Sequence, residues 1–311
     1  MSSDVVVVFP GQGSQRDGMG ADFVESYDEA RSVFERASQA LGYDVAAVCH
    51  QDDDRLNLTE FTQPCIVTVE IAMLEALKSH ESLSPTIFAG HSLGEYTALV
   101  AAGAIPFESA VRLVQLRGQL MQKAVEPGLG AMVAVVKRDG LPIDTIRECA
   151  AKHDVDVANE NSPAQVVLSG EKEPTERAVA AIEAAAEGIR PTWLNVSAPF
   201  HSRHMKGIED EFRAALQDAS GDFDASKASA VLSNTMGGFH TGELDSLIGA
   251  LTSQISGSVL WTDNMKAIME KSETIYEVGP HRPLRGFFSA LGGTVTSIMD
   301  LRSAARAFPK E

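Results

Sequence analysis

Gly90-His91-Ser92-Leu93-Gly94 sets a serine between two glycines. A short apolar run, residues 85–89, precedes it, and a helix-like stretch, residues 95–102, follows. A serine at a tight strand-to-helix turn is a nucleophile elbow, whose hydroxyl is lifted over the end of a sheet. The glycines serve close approach, because a Cβ at either place would crowd the strand or the helix. At a helix N-terminus the serine oxygen can attack a carbonyl while nearby N–H groups receive the developing charge. The alternative is a Gly-rich turn whose serine only caps the helix.

A base must accompany that serine. His201 follows it in the chain, just before a helix expected from His204 to Leu216, in the nucleophile-then-base order. No Asp or Glu stands in a motif-like place between Ser92 and His201, so a backbone carbonyl is the candidate for orienting the imidazole. His204 is the rival base and fits a surface helix position. His91 adjoins the serine but points elsewhere in the turn. A metal trio of His91, His201 and His204 can be drawn from the spacing but has little else behind it.

Arg117 is the second informative residue. It lies four residues after Leu113 and three before Leu120, on or beside the apolar face of a helix expected at 106–125. A guanidinium there needs a partner. Either an internal ion pair supplies it, or a ligand carboxylate is clamped in bidentate fashion. Arg112 falls on the solvated side. Gln12 sits in a Gly/Pro loop, residues 10–15, that lacks the ending of a phosphate loop. Gln63 opens a helix and is either a polar cap or a ligand contact. Asn159 and Asn161 are expected in a loop, as turn formers or as ligand contacts.

The elements that would position these residues alternate. Residues 5–9 form a β-branched run suited to a strand covered on both faces. Residues 26–41 read as an amphipathic helix. The polar stretch 51–62, with Asp52, Asp53 and Asp54, reads as a solvated connection. A helix is expected from Thr62-Gln63-Pro64 to Lys78, with proline in its first turn. Residues 130–196 give the order βαββαβ, a ferredoxin-like pattern. The rest returns to strands at 230–233, 274–278 and 294–298, with helices at 243–255 and 259–271 and a short helical tail. The fold class is α/β. A large hydrolase-like parallel-sheet unit, residues 1–129 and 197–311, carries the inserted small unit, residues 130–196, as one wall of a cleft over Ser92.

The 311 residues are 44% hydrophobic, enough for a sizeable core. They carry 43 acidic and 26 basic side chains, for a net charge of −17. That field disfavours nonspecific binding to nucleic acid or anionic membrane. The three cysteines, Cys49, Cys65 and Cys149, are odd in number and widely spaced, so neither a disulfide framework nor a cysteine metal site follows. The opening Ser2-Ser3-Asp4 lacks a basic signal-peptide start, and no apolar run spans a bilayer. A cytoplasmic location is expected.

The ordered set Phe9-Pro10-Gly11-Gln12-Gly13-Ser14-Gln15, Thr62-Gln63-Pro64, Gly90 through Glu95, Gln115-Leu116-Arg117-Gly118, Asn159 through Pro163, Ala198-Pro199-Phe200-His201-Ser202 and Tyr276-Glu277-Val278-Gly279-Pro280 resembles the malonyl-CoA:acyl-carrier-protein transacylase family over nearly the whole chain. The resemblance implies a hydrolase-like unit with a ferredoxin-like insertion. It implies Ser92 as nucleophile, His201 as base, and the N–H groups of Gln12 and Leu93 as oxyanion hole. Arg117 would bind the malonyl carboxylate, and the Gln254 carbonyl would hold the histidine. Gln63 and His91 would line or brace the site, Asn159 and Asn161 the acyl and pantetheine path. Leu93 and Phe200 match the malonyl-selective form. Malonyl-CoA is then a substrate, an acyl carrier protein with its phosphopantetheine arm the partner, and no metal or permanently bound cofactor is expected. The chain is expected to be a monomer serving fatty-acid or polyketide synthesis. The rivals are an acyl hydrolase on the same scaffold and a non-catalytic carrier-docking subunit. His281, Arg282 and Arg203 add charge near the mouth, as ordinary surface residues or as contacts for carrier or coenzyme A phosphates.

Overall fold

The computed structural model describes residues 4–309 apart from Asp52, Pro127 and Ser197. Ser2 and Ser3, one acid of the Asp52–Asp54 cluster, the proline at the junction before residue 130, the first residue of segment 197–311 and the last two residues of the tail lie outside the described residues.

Strand β1 (Val5–Phe9) alternates Val6 and Val8 into one core cluster and Val7 and Phe9 into another, all fully buried. Both faces are covered, so the run is apolar without a break. Each such valine contributes roughly 1.5–3 kcal/mol by leaving water. The helix expected at 26–41 is α2 (Asp28–Leu41), preceded by a short helix, α1 (Ala21–Ser26), from which the extended backbone of Tyr27 parts it. An unexpected short helix, α3 (Val45–His50), starts where the Asp44 carboxylate accepts from the Ala47 N–H. Helix α4 (Thr59–His80) is buried along most of its length, as its nearly continuous apolar sequence requires. It begins ahead of Thr62, so Pro64 lies in its second turn rather than its first.

Strand β2 (Ile87–Gly90) pairs parallel with β1 and leads into α5 (Gly94–Ala101). Helix α6 (Phe107–Lys123) crosses the start of α4 at Gly118, where a Cβ would fall 2.6 Å from the Thr59 carbonyl oxygen. That backbone approach brings Arg117 against Gln63.

A second sheet follows. Its elements are β3 (Gly130–Val136), α7 (Ile143–Lys152), β4 (Asp156–Ser162), β5 (Gln165–Glu171), α8 (Lys172–Ala185) and β6 (Arg190–Trp193). The strands are antiparallel in the order β4-β5-β3-β6. Val133, Val135 and Leu168 face the two helices in a core of their own, while Met132, Ala134 and Val167 face the main core. Asn159 and Asn161 belong to β4, which corrects their expected place in a loop. The edge of β4 is held by residue 259: Val259 donates to the Ala158 carbonyl at 2.9 Å and accepts from the Glu160 N–H at 2.9 Å. Register shifts on either side let this polar stretch remain a strand.

The chain then makes a 3₁₀ turn, Arg203–Ile208, before α9 (Glu209–Ala219), so His204 precedes the α-helix rather than opening it. A two-stranded ribbon, β7 (Leu232–Ser233) and β8 (Gly238–Phe239), leads to α10 (Leu244–Ser253) and α11 (Trp261–Lys271). Strand β9 (Thr274–Val278), helix α12 (Pro283–Ala290), strand β10 (Thr296–Ile298) and helix α13 (Leu301–Ala307) finish the fold. Helix α12 was not expected from its Gly/Pro approach; Pro283 sits at its first turn, and the buried Glu277 carboxylate accepts from the Leu284 and Arg285 N–H groups. The main sheet is parallel, in the order β10-β9-β1-β2. No described helix is long and apolar enough to cross a membrane.

Candidate active site

Phe9 pairs with Gly90, so the loops leaving β1 and β2 emerge side by side at the carboxyl edge of the sheet, where open α/β folds bind ligands. The elbow depends on its glycines: a Cβ on Gly90 would lie 1.9 Å from the Gly94 carbonyl carbon, and one on Gly94 2.3 Å from the Phe9 oxygen. Between them Ser92 has φ of 51°, a left-handed conformation that costs a non-glycine residue about 1–3 kcal/mol.

His201 Nε2 lies 2.7 Å from Ser92 Oγ. Its Nδ1 is 2.8 Å from the Gln254 carbonyl and 3.2 Å from that of Gly257. Carbonyls only accept, so the proton resides on Nδ1 and the Nε2 lone pair faces the hydroxyl. Burial, then the Arg117 charge and His91, push the imidazole pKa down to about 3. The ring is neutral at ordinary pH, as a general base must be. Two backbone carbonyls stand where a carboxylate would stand in a Ser-His-Asp triad.

Arg117 is 1% exposed. Its Nη1 donates to Gln63 Oε1 at 3.0 Å, and its Nη2 to Ser92 Oγ at 3.1 Å and Gln254 Oε1 at 3.0 Å. Its carbon lies 5.5 Å from the Tyr96 ring centre. Among the described residues Nε has no hydrogen-bond partner, and no carboxylate pairs directly with the guanidinium. Burial pulls its pKa down while Tyr96 and Glu95 hold it up. A guanidinium keeps its charge in such a place, so it presents unspent binding capacity beside the serine oxygen.

Gln12 reaches across to α4, donating through Nε2 to Thr59 Oγ1 at 3.3 Å and accepting from Gln63 Nε2 at 3.4 Å. Its neighbour Gly11 approaches the elbow so closely that a Cβ there would be 2.5 Å from the His91 oxygen. Among the described residues the N–H groups of Gln12 and Leu93 have no hydrogen-bond acceptor. His91 is braced, with Nε2 at 2.7 Å from Asn161 Oδ1, and Asn161 Nδ2 in turn donates to Gln165 at 2.8 Å. A cavity of about 610 Å³ brings together Gln12, Gln63, His91, Ser92, Arg117, Asn159, Asn161, Phe200 and His201. Leu93 and Gln254 are buried just behind its surface. No group of three or more potential metal ligands occurs among the described residues.

Three residues beneath the serine were not singled out from sequence. The Glu95 carboxylate is fully buried; it accepts from His240 Nε2 at 2.8 Å, Gln254 Nε2 at 2.7 Å and the Asn234 N–H at 3.0 Å. A charged residue opening the apolar helix α5 was the available signal for Glu95. Asn234, in a Gly-rich stretch, reads as an ordinary turn residue, and nothing local marks His240. Arg203 is committed elsewhere: it is exposed and pairs with Asp156 at 2.8 Å and Asp154 at 3.2 Å. His281 and Arg282 are exposed ahead of α12.

Residues 6–292 match the family model for the acyl transferase domain. The chain belongs to that family. It is 41% identical over 293 residues to the malonyl CoA-acyl carrier protein transacylase of Escherichia coli K12, covering 93% of each chain. It is 37% identical over 285 residues to a polyketide-biosynthesis malonyl CoA-acyl carrier protein transacylase of Bacillus velezensis, covering 91% of this chain and 94% of the relative. Among solved structures, the Clostridium perfringens malonyl CoA-acyl carrier protein transacylase superposes with a TM-score of 0.90 at 36% identity, over 98% of this chain and 96% of that one. A malonyl-transacylase in complex with a type II polyketide acyl carrier protein gives 0.89 at 36% identity, over 98% and 99%. The family is one of acyl transfer enzymes, and the two-subdomain α/β architecture is shared with these structures.

Proposed function

We propose that the protein moves a malonyl group from malonyl-CoA to the phosphopantetheine thiol of an acyl carrier protein through a malonyl-Ser92 ester. The observation that carries this reading is Arg117, a buried guanidinium with no carboxylate paired to it among the described residues, 3.1 Å from the candidate nucleophile. The names of the relatives support the same donor and acceptor, and one similar structure is a complex with a carrier protein.

His201 Nε2 takes the Ser92 proton as Oγ attacks the thioester carbonyl. The Gln12 and Leu93 N–H groups receive the oxyanion. The carbon–sulfur bond breaks, and the proton on Nε2 passes to the departing coenzyme A sulfur. The ester waits with its free carboxylate on Arg117. A carrier thiol then gives its proton to His201 and attacks the ester carbon, and Ser92 leaves with that proton. Both halves balance with side chains and the two thiols alone, in a ping-pong cycle. Arg117 also selects: an acyl group without a carboxylate leaves the buried guanidinium unpaired. Phe200, beside the base, narrows the room for an α-branch. His91, Asn159 and Asn161 line the approach of the arm. A reducing cytoplasm suits the free cysteines and the thiol substrates.

Intact-mass measurement after mixing with malonyl-CoA tests the reading. A malonyl adduct on Ser92 that disappears when holo-carrier protein is added, and is absent from Ser92→Ala, is the expected result. No adduct, or an adduct lost to water as fast as to saturating carrier, would sink it.

A further inference from the structure

The elbow's strained residue is clamped from outside the elbow. Asn234 is fully buried just after β7, and each of its polar atoms is engaged. Its Oδ1 accepts from the Ser92 N–H at 2.6 Å, and its Nδ2 donates to the Gly90 carbonyl at 2.7 Å. Its own N–H donates to Glu95 at 3.0 Å, and its carbonyl accepts from Leu260 at 2.8 Å. The amide orientation is fixed by chemistry, because an N–H can only donate and a carbonyl can only accept. One side chain thus spans the reversal, joining the last residue of β2 to the nucleophile two positions on.

We propose that Asn234 is a positioning residue for Ser92. Its amide bridge holds the serine at φ 51° and so keeps Oγ within 2.7 Å of His201 and 3.1 Å of Arg117. Glu95 anchors the bridge, since the same carboxylate oxygen also receives Gln254 Nε2, which in turn donates to the Ser92 carbonyl at 3.0 Å. The serine is held at both its N–H and its C=O by side chains tied to one buried acid. A displacement of the reacting oxygen by about 1 Å can cost a hundredfold in rate, which is the scale of what the clamp protects.

The inference rests on Ser92 being the nucleophile, and the experiment separates the two. A small fluorophosphonate, which carries no carboxylate and needs no carrier, labels the serine in the full chain, and the rate is normalised to the fraction of serine that eventually reacts. If the parent does not label, the nucleophile reading falls and takes this inference with it. If it labels, Asn234→Ala should slow labelling per active serine about tenfold to a hundredfold, with KM for malonyl-CoA nearly unchanged. A purely structural role would lower Tm and the active fraction but leave the rate per active serine within threefold, and that overturns the proposal. Should Asn234→Ala fail to fold, Asn234→Asp decides. An ionised carboxyl has only acceptors and opposes the Gly90 carbonyl; a protonated one restores a donor and an acceptor. The titratable groups around it are Glu95 and His240, His201 and Arg117 across Ser92, and Asp263 beside Gly237. The ratio of variant to parent rates should rise as pH falls. A ratio flat with pH overturns the proposal.

Discussion

On one side of the cavity, Ser92 and the residues beneath it form a bonded polar unit: Asn234, Gln254, Glu95 and His240 each donate or accept toward the elbow or toward one another. On the other side, the antiparallel sheet turns Met132, Ala134, Val136 and Val167 into the same space, with Asn159, Asn161, Gln165 and Thr192 among its polar points. The first side must hold atoms in fixed relation through two chemical steps, and its buried hydrogen bonds, strengthened by the low local dielectric, supply that rigidity even though His240 Nδ1 has no partner among the described residues. The second side must accept a flexible thioester arm, for which shape and a few polar contacts suffice. Substitutions at the elbow should therefore act on rate or selection, and those on the wall on apparent affinity.

Arg117→Ala presses this contrast hardest. Loading of a malonyl group relative to an acetyl group should fall about a hundredfold, the scale of a lost charge-assisted contact to a carboxylate. Any general loosening of the fold cancels in that ratio. Competition between the two coenzyme A thioesters, read by intact mass, checks it; an unchanged preference would remove the carboxylate clamp from the mechanism.

His201 gives the next effect, on stability. Its folded pKa is about 3 against an ordinary 6.5, so below 6.5 the unfolded chain takes up a proton that the folded chain refuses. Stability is thus lost as pH falls from 6.5 toward 3, and this part is flat above 6.5. His201→Gln removes the group. Between about pH 7.5 and pH 5 the parent should lose roughly 2 kcal/mol more than the variant, from about 1.5 pH units at 1.36 kcal/mol each. Urea unfolding at the two pH values measures it, and equal losses would show that the ring is not held neutral by its burial.

The same contrast separates what was legible in the sequence from what was not. Ser92, His201 and Arg117 announce themselves by local chemistry: glycines flanking a serine, a histidine before a helix, a cation on an apolar face. The β-branched run of β1 is legible because coverage on both faces leaves no polar position. Asn159 and Asn161 mislead because their strand is held by Val259, a hundred positions away in the chain, and no local pattern encodes that pairing. Asn234 and His240 are hidden for the same reason. Their partners lie near residues 90–95, and a lone asparagine beside glycines carries the signature of a turn. The start of α4 was displaced because Pro64 suits a first turn, yet packing against α6 extends the helix ahead of it.

Asn161 is where the two sides touch, and it gives the smallest expected effect. Its Oδ1 accepts a hydrogen bond at 2.7 Å from Nε2 of His91, a residue next to the nucleophile in sequence but facing the wall in space. Removing it in Asn161→Ala frees one buried histidine N–H, which the cavity can hydrate, so the cost is modest. The variant should raise KM for malonyl-CoA about threefold while fluorophosphonate labelling of Ser92 proceeds at the parent rate. If labelling slows as it should in Asn234→Ala, His91 transmits wall position to the elbow, and the two sides act as one preorganised unit.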